Sequence, residues 1–169
     1  MPGHPKGCLL FDWGDTLMRV FPEYSGVMAD WPEVELLPGV RRVLGVLRRL
    51  ALLGVATNAA DSNATDIRRA LRRARVSTLL PRLYCFSSIG CRKTSPEFWA
   101  AVLADLELPA RRVVMVGDDP EADVEAALRA GLKAVWLNRT SRADRSGEDL
   151  RTIHDMAELP EVLRLAAWL

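Results

Sequence analysis

Five short apolar runs, separated by amphipathic stretches, limit what this sequence can fold into. The runs are Gly7–Phe11, Val55–Thr57, Leu83–Phe86, Arg112–Val116 and Lys133–Leu137. They read as short buried strands, the fourth rich in β-branched residues. The stretches between them carry helical spacing. Val40, Val43, Leu44, Leu47 and Leu50 recur on one face, with Arg41, Arg42, Arg48 and Arg49 on the other. Gly54 is expected to end that helix, and Asp61–Arg73 to form the next, with Asn63 and Asp66 serving its start. Ser95-Pro96-Glu97 and Asp119-Pro120-Glu121 each open a helix with a capping residue, a first-turn proline and an acid at the positive end of the dipole. A C-terminal helix is expected over Pro160–Leu169, and the polar run Arg139–Asp149 reads as a mobile loop. Strands alternating with helices predict an α/β fold: a parallel five-stranded sheet covered on both faces, in three Rossmann-like layers.

Composition narrows the function classes. A chain of 169 residues, 49% apolar and 27% charged, fits one globular domain over 1–169 with a real core. Its net charge of +1 gives no bulk case for nucleic acid or membrane as a partner. The arginines of 68–75 read as a solvated helix face. Cys8, Cys85 and Cys91 are odd in number and lack paired spacing, which argues against disulfides or zinc and suits a reducing cytoplasm. The apolar run after Lys6 is too short for a signal peptide, and no stretch is long enough to span a bilayer.

In an open parallel sheet, ligands bind beyond the carboxyl ends of the strands. Asp12-Trp13-Gly14-Asp15-Thr16 follows the first run, Thr57-Asn58 closes the second, and Gly117-Asp118-Asp119 follows the fourth, with Asp123 a turn beyond. Lys93 precedes a helix start. It is one of only three lysines, with Lys6 and Lys133, among 23 basic residues, and a compact ammonium is a different tool from a guanidinium. Acids, a lysine and a hydroxyl thus meet on one rim. Clustered carboxylates call for raised pKa values or a bound cation, and oxygen-only ligands favour Mg²⁺. Simpler roles compete: Asp119 as a helix N-cap, Asp123 as a first-turn acid, Asp15 as a loop residue bonding nearby backbone. Trp13, Phe21, Tyr24 and Trp31 either pack or line a substrate entrance. His4 and His154 stand alone and are given no role.

Taken in order, these four segments resemble the four motifs of the haloacid dehalogenase (HAD) superfamily. The resemblance implies an Mg²⁺-dependent phosphatase acting on a phosphorylated substrate. Asp12 would be nucleophile and metal ligand, and Gly14 would offer a backbone carbonyl to the metal. Thr57 and the amide of Asn58 would hold phosphoryl oxygens. Lys93 would pair with Asp12 and the phosphoryl group. Asp118 would bind the metal, supported by Asp119 or Asp123.

The pattern is broken at one place. Gly14 stands where family phosphatases carry a second aspartate, the group that protonates the leaving alcohol and later activates water. The alternative is therefore a catalytically weak module that binds a phosphorylated ligand or a protein partner. The segment from Thr16 to Val55 leaves room for a flap but not for a cap domain. An uncapped site admits a large substrate, unless a second copy of the chain covers it.

Overall fold

The computed structural model describes residues 7–168. Its centre is a six-stranded, all-parallel sheet. The strands are β1 (Cys8–Phe11), β2 (Leu52–Thr57), β3 (Arg82–Cys85), β4 (Val113–Gly117), β5 (Lys133–Leu137) and β6 (Leu150–Ile153), in the order β3-β2-β1-β4-β5-β6. The order reverses at β1, which pairs with β2 on one side and β4 on the other. That is where ligands bind in doubly wound sheets.

Both faces of β1 are covered, so its side chains feed two cores. Leu9 and Phe11 pack beneath α1 (Val40–Leu47), α2 (Ala64–Arg73) and α6 (Leu159–Leu165), against Leu44, Ile67 and Leu163. Cys8 and Leu10 face the opposite way, towards Phe98, Trp99 and Val102 of α4 (Pro96–Leu106) and Ala127 of α5 (Ala126–Arg129). A single turn, α3 (Phe86–Ile89), follows β3, so Phe86 belongs to a helix rather than to the expected strand. Asn63 and Asp66 form the reciprocal capping box that starts α2. Gly54 does not end a helix. α1 stops at Leu47, and Gly54 lies within β2, where a Cβ would stand 2.7 Å from that of Arg82.

The sixth strand is not among those expected. Leu150–Ile153 carries two polar residues among its four, and only Ile153 is fully buried, so apolar content alone does not reveal it. The backbone pairing with β5 settles it, as suits an edge strand with little core to fill. The loop before it is also tied down. The Asn138 side chain donates to Ser141 Oγ and the Ala143 carbonyl, both at 2.8 Å. His154, given no role above, bridges the Asn138 carbonyl (2.7 Å) and Asp144 (3.0 Å); His4 lies outside the described residues.

The Asn138 carbonyl and then the Asp144 carboxylate raise the His154 pKa above its ordinary value. A raised folded-state pKa stabilises the clasp below the unfolded pKa, and the contribution is lost as pH rises through the folded one. Amide exchange over residues 140–145, corrected for intrinsic rate, should therefore lose protection between about pH 6 and the alkaline side of the histidine range. Unchanged protection across that window would show that His154 does not hold the loop.

Candidate active site

The carboxyl ends of β1, β2 and β4 surround a cavity of about 420 Å³. Asp12 directly follows β1, its amide bonded to the Val116 carbonyl at 2.9 Å. Lys93 reaches it from the turn before α4. The ammonium is 2% exposed and donates to Asp12 Oδ1 (2.6 Å), Asp123 Oδ1 (2.5 Å) and the Ala56 carbonyl (3.1 Å), which uses all three of its hydrogens. The Lys93 backbone is pinned as well. Its amide donates to Asn58 Oδ1 at 2.8 Å, and its carbonyl accepts from Trp99 Nε1 at 2.7 Å. Burial alone would push the Lys93 pKa down; the carboxylates of Asp12 and Asp123 reverse that and hold it above the ordinary lysine range.

The two acids after Asp118 do different jobs. Asp119 is exposed, and its Oδ1 accepts from the amides of Glu121 (2.8 Å) and Ala122 (2.9 Å), making it the N-cap. Asp123 is 1% exposed. A π-helical turn over Pro120–Glu125 carries its side chain beneath the strand end, where Oδ2 accepts from the Asp119 amide at 3.0 Å. Gly117 makes this possible, because a Cβ there would stand 2.1 Å from Asp123 Oδ2.

One carboxylate oxygen from each of Asp12, Asp118 and Asp123 lies within 4.8 Å of the others. Burial and then the charge of Asp12 push the Asp123 carboxyl up, yet Asp12 and Asp118 beside one ammonium leave the cluster net negative, at about −2 when Asp123 is ionised too. Burial, then the charge of Asp12, pushes the Asp118 carboxyl up to about 6. Thr16 Oγ1 donates to Asp118 Oδ1 at 3.1 Å, and Trp136 Nε1 to its carbonyl at 3.0 Å. Neither residue is singled out by the sequence, although Thr16 lies within the first motif. An excess of negative charge offered by oxygen atoms alone fits a hard divalent cation such as Mg²⁺.

The remaining residues complete the wall. Thr57 is buried at the end of β2, and its Oγ1 accepts from the Ala59 amide at 3.1 Å, which leaves its own hydrogen available. Asp15 takes up a left-handed conformation (φ 55°) and accepts from the Val20 amide at 3.3 Å. Gly14 lines the cavity, and a Cβ built there would meet Val20 Cγ2 at 3.0 Å. The space near the missing acid therefore holds a methyl group.

Residues 17–39 cross this side as a strap with one 3₁₀ turn, not as a cap domain. Helix α2 fastens it: Arg69 pairs with Asp30 at 2.5 Å, and Arg73 donates to the carbonyls of Ala29, Trp31 and Pro32. Trp13 and Trp31 line the cavity, whereas Phe21 packs against Tyr24, which in turn packs on Trp31.

Comparison with known proteins agrees with this fold and places the chain in a family. The sequence profile of the haloacid dehalogenase-like hydrolases matches residues 8–131, and the chain belongs to that family. It is 30% identical over 129 residues to the pyrimidine 5'-nucleotidase YjjG of Escherichia coli, covering 75% of this chain and 56% of that one. It is 33% identical over 73 residues to the phosphoserine phosphatase of Thermus thermophilus, covering 42% and 29%. The chain thus spans about half the length of the first relative and less of the second. A crystal structure of an uncharacterized protein from Listeria monocytogenes serotype 4b shares the fold, with a TM-score of 0.82 at 23% identity over 96% of this chain and 99% of that one.

Proposed function

We propose that the chain is an Mg²⁺-dependent phosphomonoester hydrolase working through an aspartyl-phosphate at Asp12. The observation that carries this is the Asp12 carboxylate at the reversal point of the sheet, 2.6 Å from a fully engaged ammonium and inside a cluster of oxygen donors. An Asp12 oxygen attacks phosphorus as the ester P–O bond breaks and the alcohol oxygen leaves with the electron pair. Water then attacks phosphorus, releases phosphate and returns the Asp12 carboxylate. The Thr57 hydroxyl and the Asn58 backbone amide donate to the phosphoryl oxygens, and Lys93 offsets their charge.

The carboxylates of Asp12 and Asp118 and the Gly14 carbonyl would hold Mg²⁺, which when bound neutralises charge on the phosphoryl group. Asp123 acts indirectly, since both its oxygens are engaged, by fixing Lys93 and the Asp119 amide. Asp119 keeps Oδ2 outside the cap and would support the ion only indirectly. Among the described residues no helix is long and apolar enough to cross a membrane, and a cytoplasmic site of action accords with three free cysteines.

The methyl of Val20 beside Gly14 favours a second reading, a weakly catalytic module that holds a phosphorylated ligand without turnover. Hydrolysis of p-nitrophenyl phosphate separates the two, because that leaving group departs without being protonated. Mg²⁺-dependent release of nitrophenol that stops with chelator is the expected result. Phosphate binding with no hydrolysis would replace the enzyme by the binding module.

A further inference from the structure

The wall of this cavity favours one kind of leaving alcohol. Among the described residues that line it, Lys93 is the only cation, and all three of its ammonium hydrogens are already donated inside the cluster. Asp15 and Asp61, by contrast, stand exposed on the wall. Arg19 and Arg139 line neighbouring cavities that share Asp15 with this one, and not the cavity itself. On the wall of this cavity itself, a leaving group with its own carboxylate or second phosphate would thus meet acids rather than a side-chain cation, and close like charges disfavour binding.

The strap supplies the complementary feature. Trp31 is held from three directions. Its Nε1 donates to the Ser25 carbonyl at 2.9 Å, its ring packs on Tyr24 with centroids 5.6 Å apart, and its carbonyl accepts from Arg73 at 2.6 Å. It still lines the cavity and is only partly buried. An indole fixed before binding loses little entropy when a flat group stacks on it. Val20 and Met28 continue this apolar side, and Asp61 can accept from an N–H or hydroxyl.

We propose that this site selects phosphate monoesters whose leaving group is uncharged and planar-faced, stacked on Trp31. Nucleoside monophosphates and simple aryl phosphates share that chemistry. The inference rests on the phosphatase reading and adds the substrate class to it.

The test is calorimetric binding to the Asp12→Asn protein with Mg²⁺, where turnover does not interfere. The ligands are uridine 5'-monophosphate, phenyl phosphate, glycerol phosphate and phosphoserine. At least one planar ester should bind about tenfold or more tightly than glycerol phosphate and phosphoserine. Tighter uridine monophosphate than phenyl phosphate identifies the nucleotide; the reverse identifies the aryl ester. Adding Trp31→Ala should shrink the planar advantage to within about twofold, while Trp31→Phe, which keeps a flat face, should retain most of it. Equal or tighter phosphoserine binding, or an advantage that survives Trp31→Ala in a protein with unchanged melting, overturns the inference. Wild type that hydrolyses p-nitrophenyl phosphate yet shows no planar preference overturns it alone. Neither hydrolysis nor binding of any ester overturns the phosphatase reading with it.

Discussion

Asp12→Asn should lower phosphatase turnover by about four orders of magnitude or more, the scale on which hydrolases lose rate when a nucleophile is removed, while leaving the fold intact. The amide has nearly the volume of the carboxylate, so no cavity opens. Its oxygen can still accept from Lys93, which also retains Asp123 and the Ala56 carbonyl. One of three clustered carboxylates is removed, and with it the charge that, after burial, raises Asp118. Melting should therefore hold or rise slightly in the metal-free protein as activity disappears. Mg²⁺ affinity should fall too, since Asp12 is a proposed ligand. The measurement is hydrolysis of p-nitrophenyl phosphate beside thermal melts of both proteins. Substantial turnover by the pure variant would move the nucleophile elsewhere and sink the aspartyl-phosphate mechanism.

How much of this is legible in the sequence follows from where each constraint lies. Asp12, Thr57 and Asp118 stand at the ends of apolar runs, and the chemistry of a parallel sheet places such ends on one rim. Lys93 stands out by residue type in a chain that otherwise uses arginine. What escapes a sequence reading depends on three-dimensional detail. Helical spacing puts Asp119 and Asp123 on one side, but the π-helical turn buries Asp123 and leaves Asp119 outside as a cap. The bond from Thr16 to Asp118 joins residues 102 positions apart. The strap carries no periodicity to read. Its course is set by arginines of α2 that in sequence read only as a solvated face, and Arg69 and Arg73 fix Asp30 and Trp31 beside the cavity. The edge strand β6 is hidden for a related reason, being held by backbone pairing rather than by apolar side chains.

Lys93→Met should be costly in two ways at once. The ammonium sits between Asp12 and Asp123 at 2.6 and 2.5 Å, and it is 2% exposed. A thioether of similar length fills the space but carries no charge, so the Asp123 carboxylate, 1% exposed, loses its counter-ion in a dry site. Breaking a buried pair from one side costs about 3–5 kcal/mol, which in a domain of this size lowers Tm by roughly 10 °C. Turnover should be lost as well, because neither Asp12 nor the transferring phosphoryl group then has a nearby side-chain cation. A second substitution separates the two effects. Lys93→Met with Asp123→Leu removes the stranded charge together with its partner, and replacing both members of a buried pair by apolar groups is often close to neutral. The double variant should recover much of the lost melting temperature and none of the activity, giving a large coupling energy between the two positions. If the single variant melts with wild type, the buried ammonium does not hold this end of the sheet together. If the double variant regains turnover, Lys93 serves packing rather than the phosphoryl group.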